Sequence, residues 1–111
     1  MKDDTIYVGH ILDAIDQIKE FTLGYTQDSF LKDKKTCNAV VRCFEIMGEA
    51  TKRLSIPFRE MHSEIPWKKI AGMRDVLIHD YMGTDFFAVW RIVENQLPQL
   101  EIQLRNSIVQ K

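Results

Sequence analysis

Apolar residues recur at intervals of three and four along nearly the whole chain, and no window sustains an apolar/polar alternation, so the pattern predicts an all-α protein. A first helix, from about Thr5 to Leu23, carries Val8, Ile11, Leu12, Ile15, Ile18 and Phe21 on its inward stripe. Asp3 or Asp4 stands where an N-cap is wanted, and Gly24 where a helix stops. After a loop with Thr26, Asp28 and Ser29, a second long helix is predicted to start between Lys32 and Lys35 and run to about Leu54, with Val40, Phe44, Met47 and Leu54 inward. Gly48 costs that helix about 1 kcal/mol relative to Ala, so its expected use is the close approach of another backbone.

Pro57 reads as the end of this region, followed by a short irregular segment holding Phe58, Met61 and His62. Pro66 then opens a third helix with Trp67, Ile70, Ala71, Leu77 and Ile78 on its buried side, and Gly83 breaks it. Thr84 or Asp85 caps a fourth helix through Phe86, Val89, Trp90 and Val93, and Pro98 either starts a fifth or kinks the fourth. Leu97, Leu100, Leu104 and Ile108 continue an apolar seam. Long helices and short loops predict an up-down bundle of four to five helices, and 111 residues suit one domain spanning 1–111.

Composition narrows the function classes. Hydrophobic residues at 45% against 28% charged are globular proportions, which argues for a packed core and against disorder. Fifteen basic and sixteen acidic residues leave a net charge of -1, which excludes a protein that coats nucleic acid through bulk positive charge. A polyanion site must therefore be a local patch. No run approaches the roughly 18 apolar residues of a membrane span, and the opening Met1-Lys2-Asp3-Asp4 lacks the plan of a signal peptide, so a cytoplasmic protein without membrane contact is expected. Cys37 and Cys43 fall on different helical faces and are not expected to bridge. His10, His62 and His79 show no ligand spacing for a structural metal.

The polar chemistry concentrates in Gly72-Met73-Arg74-Asp75-Val76-Leu77-Ile78-His79-Asp80-Tyr81, around one predicted helix end. Arg74 and His79 are about 140° apart on an ideal helix and share no face, whereas Asp75 and His79 stand at i and i+4 and can touch. His79 is then a candidate proton shuttle, oriented by Asp75, and Arg74 a fork for phosphate oxygens, a set suited to metal-free cleavage of RNA phosphodiesters. On spacing alone an ordinary polar helix end is the commoner reading of the same residues. Arg42, Glu45, Glu49 and Arg53 form either a solvated, ion-paired flank or the polar wall of a cleft. Lys32, Lys34, Lys35, Lys68 and Lys69 are either solvated charges or guides for RNA phosphates. Trp67 and Trp90 read as core, and His10 and His62 as ordinary residues with no companion that suggests catalysis.

The run from Gly72 to Tyr81 resembles the Arg-x4-His-x-Tyr motif of the HepT-like toxins in the HEPN superfamily. Arg42-Cys43-Phe44-Glu45-Ile46-Met47-Gly48-Glu49-Ala50 resembles that family's Leu/Ile-Gly-Glu-Ala helix, with Met47 in a volume-conserving exchange. Ile65-Pro66-Trp67, Val89-Trp90 and Leu97-Pro98 also fall where the family carries similar residues, so the resemblance spans nearly the whole chain. It implies a HEPN-like helical bundle that dimerises and a metal-independent, cofactor-free endoribonuclease site centred on Arg74 and His79 with Asp75 in support. It also implies a nucleotidyltransferase antitoxin as partner, which transfers AMP from ATP onto Tyr81. The alternative is a non-catalytic HEPN module that serves mainly as docking partner and substrate of such a transferase.

Overall fold

A computed structural model describes the backbone of residues 2–78 and 85–109 and the side chains of residues 3–73 and 85–108. Its regular elements are helices: α1 (Lys2–Thr22), α2 (Gln27–Lys32), α3 (Lys34–Lys52), α4 (Ile56–Met61), α5 (Trp67–Ile78), α6 (Phe86–Asn95) and α7 (Leu97–Val109). Five of them are ten residues or longer and correspond to the predicted bundle helices. The other two are single short helices that periodicity did not reveal. Among the described residues no helix is long and apolar enough to cross a membrane.

Helix α1 buries Val8, Ile11, Leu12, Ile15 and Ile18 along one stripe, as its spacing predicts. Phe21 departs from the expectation and is 37% exposed. It lies about 100° from the centre of the stripe, a place that Thr22 occupies instead. Thr22 Oγ1 donates back to the Ile18 carbonyl at 2.8 Å, and Gly24, at φ 80°, turns the chain out of the helix. Asp4 is likewise not the cap of its own helix. It is buried inside the first turns and accepts from Ser55, at the far end of α3.

Two short helices stand where the sequence suggested irregular segments. Thr26 and Ser29, read as loop residues, form a reciprocal capping box that opens α2, and Phe30 anchors this helix in the core. Pro57, read as a terminator, sits instead in the first turn of α4, where a missing N–H costs nothing, behind the cap that Ser55 supplies to Phe58 N–H. Phe58 points inward, while Met61 is 69% exposed.

Packing centres on α3, which lies along α1 on one side and α5 on the other. The α1/α3 pair is antiparallel, since Asp4 meets Ser55 and Gln17 meets the Cys43 thiol. Cys37, Val40, Cys43, Phe44, Met47, Gly48 and Ala50 turn inward from α3, and both thiols are free. Burial pushes both thiols above their ordinary pKa, and the nearby Asp33 carboxylate adds to the rise at Cys37. Asp33 caps α3 by accepting from Thr36 N–H, and the Tyr25 hydroxyl and Thr36 bonds together hold its carboxyl at about 2.

The start of α5 is fixed by Trp67, whose indole N–H is shared between the carbonyls of Arg59 at 3.2 Å and His62 at 3.0 Å. Pro66 precedes the helix by one residue, and its carbonyl accepts from Ile70 N–H. Asp85, rather than Thr84, is the residue seen to cap α6, through Ala88 N–H. Gln96 alone separates α6 from α7, so Pro98 lies in the first turn of a fifth long helix. Trp90 packs on Phe30 with ring centroids 5.0 Å apart, joining α6 to α2. Across α1 and α7, Lys19 and Arg105 both bond Glu101, and Arg105 also reaches Asp16.

Candidate functional site

Arg74 and Asp75 lie in the last turns of α5, the helix that Trp67 anchors at its start and that packs along α3. Their backbone positions are thereby set by a helix packed against α3. His79 and Tyr81 lie outside the described residues, as do Gly83 and Thr84.

The flank of α3 that sequence left open proves to be two things at once. Arg42 Nη1 and Glu45 Oε1 form an ion pair at 3.4 Å across i,i+3, and the Arg42 side chain is 71% exposed, so the pair contributes only a few tenths of a kcal/mol. The same residues, with Ile46, Glu49, Ala50 and Arg53, also form one wall of a groove. Tyr7 and His10 of α1 form the other wall, and the volume of this open groove is about 600 Å³. The two rings meet edge to face at 5.8 Å and 83°.

Lys68 and Lys69 are both exposed on the first turns of α5 but open into different places. Lys68 lines a shallow groove with Ile56, Arg59 and Trp67, and Lys69 another with Glu64, Met73, Gln99 and Gln103. Neither is brought to the Arg42 groove. Lys32 is spent on an exposed ion pair with Asp28. Tyr7 and His10 are the groove residues that sequence reasoning passed over. Their i,i+3 spacing beside the α1 stripe was the available signal, but only the antiparallel pairing with α3 places them opposite Arg42 and Glu49.

Charged residues of both signs therefore line this groove, which can receive hydrogen-bonding and anionic groups together. Among the described residues no group of three His, Cys, Asp or Glu side chains could hold a metal ion.

Comparison with known proteins assigns the class. The model of the family described as "Ribonuclease HepT-like" matches residues 11–107, and the chain belongs to that family. It is 43% identical over 111 residues to the "Putative RNase" of Caldanaerobacter subterraneus subsp. tengcongensis, covering 100% of this chain and 98% of that one. It is 45% identical over 95 residues to the "Probable ribonuclease HepT" of Thermococcus cleftensis, covering 86% of each. A third relative, the "Gamma-glutamylcyclotransferase and putative RNase" of Methanocaldococcus jannaschii, is 44% identical over 103 residues. The match covers 93% of this chain but only 46% of that relative's length. No solved structure matches.

Proposed function

We propose that the protein is a metal-independent endoribonuclease, the toxin of a cytoplasmic toxin-antitoxin pair, with Arg74 and His79 at its catalytic centre. The observation that carries this reading is membership of the HepT-like ribonuclease family over residues 11–107, a span that contains the whole Arg-x4-His-x-Tyr run. The placement of Arg74 and Asp75 on an anchored helix agrees with it.

In this reading the His79 imidazole takes the proton of an RNA 2′-hydroxyl, and the freed oxygen attacks the adjacent phosphorus. Arg74 stabilises the charge that grows on the phosphorane oxygens. The 5′-oxygen leaves with a proton from an imidazolium, so the products are a 2′,3′-cyclic phosphate and a 5′-hydroxyl. Asp75, at i,i+4 from His79, orients the imidazole. A homodimer with both sites on one cleft supplies a second imidazole, so that base and acid need not be one group. A nucleotidyltransferase antitoxin restrains the enzyme by attaching AMP to Tyr81.

Incubation of the purified protein with total RNA in EDTA tests the reading. Cleavage should persist, leave cyclic phosphate ends, and fall about 100-fold or more in His79→Ala and Arg74→Ala, the scale of a lost acid-base or charge-stabilising group. Activity that disappears on chelation and returns with Mg²⁺ would refute it. So would variants that cleave like the parent.

A further inference from the structure

We infer that the α1/α3 groove is a stacking subsite for single-stranded RNA, in which the Tyr7 and His10 rings receive a base of the substrate strand while Arg42 and Arg53 hold flanking phosphates. The inference rests on the ribonuclease reading but concerns residues outside its motif.

The groove has the right contents. His10 is exposed and Tyr7 half-buried, and their edge-to-face contact leaves ring surface for a third aromatic partner. Arg42 and Arg53 are eleven residues apart, which places them within about 20° on one helix face and about 16 Å apart along its axis. They thus mark the two ends of the groove. Arg53 has no hydrogen bond or ion pair to any described residue through its guanidinium, and Arg42 is held only by the exposed 3.4 Å contact to Glu45. Both forks can turn to a phosphate at small cost.

Charge order decides the ligand class. A track for phosphate alone would be uniformly basic, whereas here carboxylates lie between the two guanidiniums. A base between two phosphates matches that order, because a carboxylate such as Glu45 can accept from an exocyclic amine while the rings stack on the base. The volume of about 600 Å³ lies within the range of roughly 300–1,000 Å³ found for small-ligand sites.

The test uses a fluorescein-labelled, fully 2′-O-methylated single-stranded oligonucleotide, which cannot be cleaved, with binding read by anisotropy. His10→Ala and Arg53→Gln should each weaken binding about fivefold or more, the lower end for loss of one stacked base. Arg91→Gln, an exposed charge-matched control on α6, should change it by about twofold or less. His10→Phe should bind like the parent, since stacking needs the ring and not its protons. With cleavable RNA the His10 and Arg53 losses should appear in KM and leave kcat intact.

Equal binding by all variants overturns the subsite, and cleavage by the parent in the same preparation shows that the ribonuclease reading survives. Groove-dependent binding without any cleavage in EDTA does the reverse. Binding of free AMP in place of the oligonucleotide, or no binding of single-stranded RNA by the parent, also overturns it.

Discussion

Asp4 and Ser55, 51 positions apart, are joined by two hydrogen bonds of 2.7 Å, one from the Ser55 backbone N–H and one from its hydroxyl. The Ser55 oxygen in turn accepts from Phe58 N–H at 3.2 Å. A residue in the first turns of α1 therefore completes the cap of α4. Burial opposes the Asp4 charge, but the two bonds from Ser55, together with the positive charge of the amino terminus, keep the carboxyl below its ordinary 3.8.

Asp4→Ala should accordingly cost about 2 kcal/mol, the scale of hydrogen bonds to a charged group with a donor left unpaired. Because the folded pKa is lowered, this stability is fully present above the unfolded value of 3.8 and is lost as pH falls through the lower folded value. Urea unfolding near neutral pH should show a clearly reduced midpoint for the variant, and the gap to the parent should narrow as the pH falls below 3.8. Equal midpoints near neutral pH would contradict the relay.

The clasp between α1 and α7 should behave in a milder way. Glu101 is raised by desolvation, yet the bonds from Lys19 and Arg105 prevail and its pKa lies below 4.5. Its contribution is complete above 4.5 and declines as pH drops through the folded value. Lys19 and Arg105 remain largely solvated, so Glu101→Gln should cost about 1 kcal/mol or less and respond to salt. Thermal melts at low and high ionic strength will show this. A loss of several kcal/mol that ignores salt would mean that the pairs are not the reason.

Self-association follows from the proposed mechanism. Sedimentation at micromolar concentration should give a species of twice 13.0 kDa, and full nuclease activity in a 13.0 kDa species would remove the need for a second imidazole.

Tyr81 should be the point of control. AMP attached there would add negative charge close to Arg74 in sequence and compete with the RNA phosphate. Co-expression with the cognate nucleotidyltransferase and ATP should add adenylyl mass to the parent and silence it, while Tyr81→Phe keeps its helical spectrum and escapes both. Adenylyl mass on another residue, or equal silencing of Tyr81→Phe, would count against the switch.

The long helices were legible because each carries several apolar residues at 3.6-residue spacing and a recognisable end, as with Val8 to Ile18 before Gly24. The short α2 and α4 were not, since each has six residues and one buried side chain, Phe30 or Phe58, which is too little for a period. Asp4 misled for a related reason: a carboxylate near a helix start is a local signal, and its real partner is set by tertiary packing. The Arg74/Asp75 position at the end of α5 was readable from the chain alone. The groove was not, because Tyr7 and His10 acquire Arg42 and Arg53 as neighbours only when α1 and α3 run antiparallel.

Trp67 and Trp90 give the protein two built-in optical probes with different local partners. Trp67 senses the junction of α4 with α5, through its bonds to the Arg59 and His62 carbonyls, while Trp90 senses the Phe30 contact between α2 and α6. Fluorescence of Trp67→Phe and Trp90→Phe thus separates loosening at the root of the motif helix from loosening elsewhere. If the two signals change together during unfolding, the motif helix has no independent freedom, and its alignment is as durable as the fold itself.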